Sequence, residues 1–160
     1  NLPQELHAEA VRHFREYYAE HGRDEQTLFP GIKEMLAALR DAGKKLYIAT
    51  TKPAPFAKYI LDGHGITDFF EDISGSPLTH SGLPKDVIID NLLQNHKINP
   101  DDAVMVGDRK YDIIGAQQTG LHSVGVLFGY GSREELEEAG SPLIAQDVAQ
   151  LTAMLLQNPA

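Results

Sequence analysis

At 160 residues, the chain has the size of one ordinary domain, since domains cluster around ~100–150 residues and can bury a real core. Its 23 acidic residues against 14 lysines and arginines leave a formal charge of -9, which argues against attachment to nucleic acid or an anionic membrane by bulk charge. There is no cysteine, so a disulfide scaffold, a thiolate metal site and a cysteine nucleophile are excluded, and a reducing compartment such as the cytoplasm fits. The hydrophobic share of 42% is that of a globular protein rather than a disordered one. No apolar run approaches the ~18 residues of a membrane span. The residues after Asn1 have no basic-then-apolar signal segment.

Along the chain, residues 3–21 predict a helix, with Leu6, Ala10, Phe14, Tyr17 and Tyr18 at helical spacing and Gly22 after its end. A polar connector follows over residues 23–27. Pro30-Gly31 opens a second helix with Ile32, Met35, Leu36 and Leu39 on one face, stopped by Asp41-Ala42-Gly43. Residues 46–49 are a short continuous apolar run of the kind that forms a buried parallel strand. Pro53 and Pro55 mark a helix start, with Phe56, Tyr59, Ile60 and Leu61 behind them. Residues 69–74 predict a weaker strand and residues 74–84 a Gly/Pro/Ser/Thr-rich loop.

The next helix spans residues 85–96, with Val87, Ile88, Leu92 and Leu93 as its apolar positions, and Asn99-Pro100 breaks the pattern. Residues 103–106 form the clearest strand, ending at Gly107-Asp108. A helix over 111–119 closes at Gly120, a strand covers 122–127, and Gly129-Tyr130-Gly131 is a turn. Ser132 with Glu135 predicts a capping box for the following helix. Residues 143–145 form a last short strand before a final helix over 147–156. Helices alternating with apolar strands through short loops indicate a doubly wound α/β fold with a Rossmann-like parallel sheet. In such sheets ligands bind beyond the carboxyl ends of the strands.

The strand ends carry the chemistry. Gly107-Asp108-Arg109-Lys110-Tyr111-Asp112 places two carboxylates four residues apart at a strand-to-helix turn. They make either a hard-oxygen site suited to Mg²⁺ or a helix cap followed by a solvated surface acid. Thr50 ends a buried strand, where its hydroxyl either bonds a phosphate oxygen or caps the next helix. Lys85 begins a helix, where a cation opposes the macrodipole; it is either a solvated lysine or one that neutralises phosphate and holds a carboxylate in its charged form. The seven histidines include no pair at zinc-ligand helical spacing and read as surface or packing residues.

Taken in order, Thr50, Lys85 and Asp108/Asp112 resemble the haloacid dehalogenase-like hydrolases, a phosphatase superfamily with an aspartate nucleophile. Phe29-Pro30-Gly31, Ala49-Thr50-Thr51-Lys52-Pro53, the run from Val106 to Ala116 and Gly125 to Ser132 resemble its phosphoglycolate phosphatase branch. The resemblance implies that Thr50 binds the transferring phosphoryl group, with Thr51 and Lys52 beside it. It implies that Lys85 is the lysine of the phosphate site, and that Asp108 and Asp112 hold Mg²⁺ directly or through water. A small phosphorylated metabolite is the implied substrate, through an aspartyl-phosphate intermediate. A nucleotidase or sugar-phosphate mutase on the same scaffold is the near alternative, and a non-catalytic Mg²⁺/phosphate-binding domain the distant one.

One family motif is missing: no D-x-D occurs in the sequence, although the family's nucleophile and its acid/base come from D-x-D-G-T. The strand bearing that motif lies, in the family, between those ending at Thr50 and at Gly107. The expectation is therefore a chain of two parts: residues 1–26 as the end of a helical cap and its linker, and residues 27–160 as a phosphatase core lacking its first strand. About 70–90 upstream residues would complete an enzyme of ordinary size, and the 160 residues alone are expected to be inactive for want of a nucleophile.

Overall fold

The computed structural model describes residues 26–77 and 82–157. The helix expected over residues 3–21 lies outside the described residues. The elements run α1 (Ile32–Asp41), β1 (Tyr47–Pro53), α2 (Ala54–His64), β2 (Asp72–Ser76), α3 (Lys85–His96) and β3 (Val104–Gly107). They continue with α4 (Lys110–Thr119), β4 (His122–Val126), α5 (Arg133–Glu138), β5 (Ile144–Ala145) and α6 (Val148–Gln157), with single 3-10 turns at Thr67–Phe69 and Pro100–Asp102. Every strand pair is parallel, as the helix between successive strands requires.

Strand β4 has helices on both faces, because its side chains alternate between them. Val124 and Val126 join a core with Met35, Leu36 and Leu39 of α1 and Val148 and Leu151 of α6. Gly125 points the other way: a Cβ built there would lie 3.0 Å from Leu136 of α5. That second side is filled by Ile113 and Ala116 of α4 and by Leu136, all buried, while Ile88, Ile89, Leu92 and Leu93 of α3 are buried where that helix packs on β1, β2 and α4. Burying a side chain such as the fully enclosed Ile88 or Ile113 stabilises the fold by about 1.5–3 kcal/mol.

Among the described residues the strands form two sheets, β1-β2 and β3-β4-β5. The apolar edges of β1 and β3 are thus left without a described strand between them, and Val104 is 39% exposed.

Several boundaries differ from expectation for physical reasons. Phe69 and Phe70 are not strand residues: Phe69 ends a 3-10 turn, and both rings pack against the α1/α6 core. The strand begins at Asp72 and runs to Ser76, into the segment expected to be loop. Strand β1 continues past Thr50 to Pro53, with a register shift between Thr50↔Gly75 and Pro53↔Ser76. The residue before a proline is held extended, so the backbone stays strand-like through Lys52. On α3 the buried set is Ile88, Ile89, Leu92 and Leu93, whereas Val87 is 39% exposed. It sits one position off the stripe that faces the sheet. The final helix begins as expected, with Asp147 Oδ1 accepting from Gln150 N–H at 2.8 Å, an N-cap of the usual kind.

Candidate active site

Lys85 is the first residue of α3, yet its ammonium is turned back under the helix toward the strand ends. Nζ donates to Asp112 Oδ1 at 2.8 Å and to the carbonyl of Ala49, on β1, at 2.9 Å. The stem reaches that position because α4 presents Gly115 to it: a Cβ on Gly115 would lie 2.9 Å from Lys85 Cγ. Both charged side chains are nearly enclosed, at 13% and 10% exposed. A buried ion pair must have its remaining donors and acceptors satisfied to hold together. The pair meets that condition, since the second Asp112 oxygen accepts from Arg109 N–H at 3.1 Å.

Asp112 is therefore not the solvated acid that its spacing also allowed. It is buried, and both its oxygens have protein partners. Gly107 is what lets it sit there, for a Cβ on Gly107 would lie 2.5 Å from Asp112 Cγ and 2.6 Å from Oδ2. Gly107→Ala is expected to destabilise the protein by about 1–3 kcal/mol, as overpacking does. Urea unfolding would measure it, with a shifted midpoint and an unchanged slope.

Asp108 does not cap α4; Arg109 occupies the cap position. Instead Asp108 Oδ2 accepts from Tyr130 N–H at 2.8 Å, in the loop after β4. Gly129 and Gly131 make that approach possible. A Cβ on Gly131 would overlap the Asp108 carbonyl, and one on Gly129 would overlap its side chain. The other Asp108 oxygen has no partner among the described residues, and the side chain is half-exposed at the end of β3.

Thr50 is half-buried at the end of the regular β1-β2 ladder, and its Oγ1 accepts from Lys52 N–H at 3.1 Å. This local turn leaves the hydroxyl proton to be donated elsewhere. Thr51 and Lys52 are exposed beyond it. Thr50, next to Ala49, thus adjoins the carbonyl that Lys85 grips, and the Lys85–Asp112 pair joins β1 to α4.

The sequence reading missed two further contacts. The Ser132–Glu135 capping box is half formed: Ser132 Oγ accepts from Glu135 N–H at 3.2 Å. The Glu135 carboxylate, however, serves a different helix. Its Oε1 accepts from Lys110 N–H at 2.9 Å and from Arg109 Nε–H at 2.8 Å, at the start of α4. The Lys110 N–H and then the Arg109 guanidinium hold the Glu135 carboxyl below the usual range, and Glu135 in turn raises Arg109. The only signal available for this was the Ser-x-x-Glu spacing, which pointed to its own helix.

No group of three or more His, Cys, Asp or Glu side chains that could hold a metal occurs among the described residues. Asp108 fits one position of a Mg²⁺ shell: it is a hard oxygen donor with a free oxygen at the strand end. Both Asp112 oxygens are held by Lys85 and by Arg109 N–H. His96, one of the seven histidines, pairs with Asp72 Oδ2 at 2.9 Å and packs against the Tyr47 ring at 4.9 Å. Both partners lie where β1 and β2 begin, the opposite end from Thr50, so His96 has the packing role expected of it.

The strand ends of this parallel α/β fold carry a nearly enclosed lysine–aspartate pair, a half-buried threonine and a half-exposed carboxylate, and its relatives are phosphatases. The chain belongs to the haloacid dehalogenase-like hydrolases: residues 2–126 match the model of that family. It is 35% identical over 155 residues to a phosphoglycolate phosphatase of Vibrio vulnificus, an alignment that takes in 97% of this chain and 68% of that protein. It is 36% identical over 147 residues to a 5'-nucleotidase of Pseudomonas aeruginosa, covering 92% of this chain and 66% of the relative. The crystal structure of a predicted phosphatase from Clostridium acetobutylicum superposes with a TM-score of 0.93 at 37% identity, covering 99% of this chain and 73% of that one. Among the described residues no helix is long and apolar enough to cross a membrane.

Proposed function

We propose that the protein hydrolyses a small phosphomonoester of the phosphoglycolate type, with Mg²⁺ and through an aspartyl-phosphate intermediate. The observation that carries this reading is Lys85, a nearly enclosed cation fixed between Asp112 and the Ala49 carbonyl beside Thr50. A preorganised cation aimed at the strand ends stabilises charge developing on a transferring phosphoryl group. Thr50 would donate its hydroxyl proton to a phosphoryl oxygen, with Thr51 and Lys52 beside it. Asp108 would hold Mg²⁺, which when bound supplies charge neutralisation and orientation of the phosphate. Asp112 holds Lys85 in place.

Neither Asp108 nor Asp112 is assigned as the nucleophile: both Asp112 oxygens are held by protein partners, and the one free Asp108 oxygen is assigned to Mg²⁺. The reading therefore assigns the attacking aspartate to a strand that fits between the open edges of β1 and β3, encoded upstream in the natural polypeptide. Residues 1–26 would be the end of the cap that selects the substrate. The experiment is phosphate release by the full natural polypeptide from 2-phosphoglycolate, a nucleoside 5'-monophosphate and a generic aryl phosphate, with Mg²⁺ and then with chelator. Mg²⁺-dependent release with 2-phosphoglycolate preferred is expected. Preference for the nucleotide would replace the substrate assignment with the nucleotidase one, and no release from any of the three would overturn the enzymatic reading.

A further inference from the structure

The loop after β4 and the helix behind it have no part in the chemistry proposed above, yet they grip residues 108–110 from several sides. Tyr130 N–H commits one Asp108 oxygen. Gly131 packs against the Asp108 carbonyl. A single Glu135 oxygen takes both Lys110 N–H and Arg109 Nε–H. Glu135 is itself seated through Ser132, so α5 and the start of α4 are tied at one point. An Arg–Glu pair with side chains 44% and 21% exposed contributes little to stability. What it does is geometric: it draws the Arg109 guanidinium toward α5. Arg109 directly follows Asp108 in the chain, and only one Asp108 oxygen is taken, by Tyr130 N–H. An Arg109 released from Glu135 would have the free Asp108 oxygen as an alternative partner, and an arginine there competes with a cation for it.

We propose that Glu135 is a positioning residue: by holding Arg109 and the first N–H of α4, it keeps the free oxygen of Asp108 available to a divalent cation. The proposal rests on the reading of Asp108 as the metal-holding carboxylate. Partners bonded directly to a metal ligand typically change affinity about 10–100-fold when removed, and Glu135, which acts through Arg109 and Lys110, is expected at the lower end of that range.

The test uses the full natural polypeptide and Mn²⁺ as the probe, with binding followed by electron paramagnetic resonance and stability by thermal unfolding. Glu135→Ala is expected to bind Mn²⁺ about tenfold more weakly. Adding Arg109→Met removes the competing cation and should bring the affinity back to within about threefold of wild type. Glu135→Gln keeps an oxygen for Lys110 N–H but loses the negative charge that holds Arg109, and it gives the reading if the alanine variant does not fold. A purely structural role would lower the unfolding temperature and leave Mn²⁺ affinity unchanged. That result, or weakening that Arg109→Met fails to reverse, overturns the proposal alone. A wild-type protein that binds no Mn²⁺ overturns the metal reading of Asp108 and this proposal with it.

Discussion

Asp108→Asn is expected to cut Mg²⁺-dependent phosphate release by the full natural polypeptide by about a hundredfold or more, with the fold unchanged. The two effects separate because the side chain has two oxygens with different tasks. Oδ2 accepts from Tyr130 N–H at 2.8 Å, and the amide oxygen of asparagine can accept that bond in the same position. The loop that packs on Asp108 through Gly129 and Gly131 therefore keeps its anchor, and stability should stay within about 0.5 kcal/mol of wild type. The other oxygen is lost as a charged ligand, replaced by an NH₂ that cannot coordinate. Losing a single preorganised electrostatic contact to the transition state costs about 10²–10³-fold, and a metal-holding carboxylate serves both binding and charge neutralisation. Asp108→Ala makes the contrast: it removes the bond to Tyr130 as well, so it should lose about 1 kcal/mol of stability on top of the same loss of rate. Turnover within threefold of wild type in Asp108→Asn, at the same Mg²⁺ concentration, would take Asp108 out of the metal site.

How much of this could be read from the residues depended on how local each signal was. The Asp108/Asp112 spacing and the apolar stripe of α1 are set within one element by the 3.6-residue period, and both were legible. Lys85 was legible as misplaced, because a cation at a helix start opposes the dipole. Its partner was not: Asp112 lies far along the chain on another helix, and the sequence suggested only that the lysine would face a carboxylate. Phe69-Phe70 looked like a strand because a short apolar run carries no period of its own; its rings were needed in the α1/α6 core. Glu135 was misread for the opposite reason. Its Ser-x-x-Glu pattern is a real helix-start signal, but the carboxylate found better donors on α4, and no local pattern records a choice between two helix ends.

Lys85→Met is expected to lose both stability and turnover, and pairing it with Asp112→Asn should recover the first without the second. Methionine keeps an apolar stem to pack on Gly115, so the loss reports mainly the charge. With the ammonium gone, the buried Asp112 carboxylate retains only the Arg109 N–H at 3.1 Å, and the Ala49 carbonyl loses its donor. Removing one member of a buried ion pair costs about 3–5 kcal/mol, because an uncompensated charge stays behind. Asp112→Asn in the same chain removes that charge. Its amide oxygen still serves Arg109 N–H, so most of the stability should return, measured by urea unfolding as a coupling energy of about 0.5–3 kcal/mol between the two sites. Turnover should not return. A cation fixed beside Thr50 is what the phosphoryl transfer step uses, and a neutral Met–Asn pair offers none; a loss of about 10²-fold or more persists in the double variant. If the double variant regains turnover together with stability, Lys85 does no more than hold β1 to α4. If it regains stability alone, the same ammonium that locks the fold also meets the substrate, which is why so costly a buried pair stands at the strand ends.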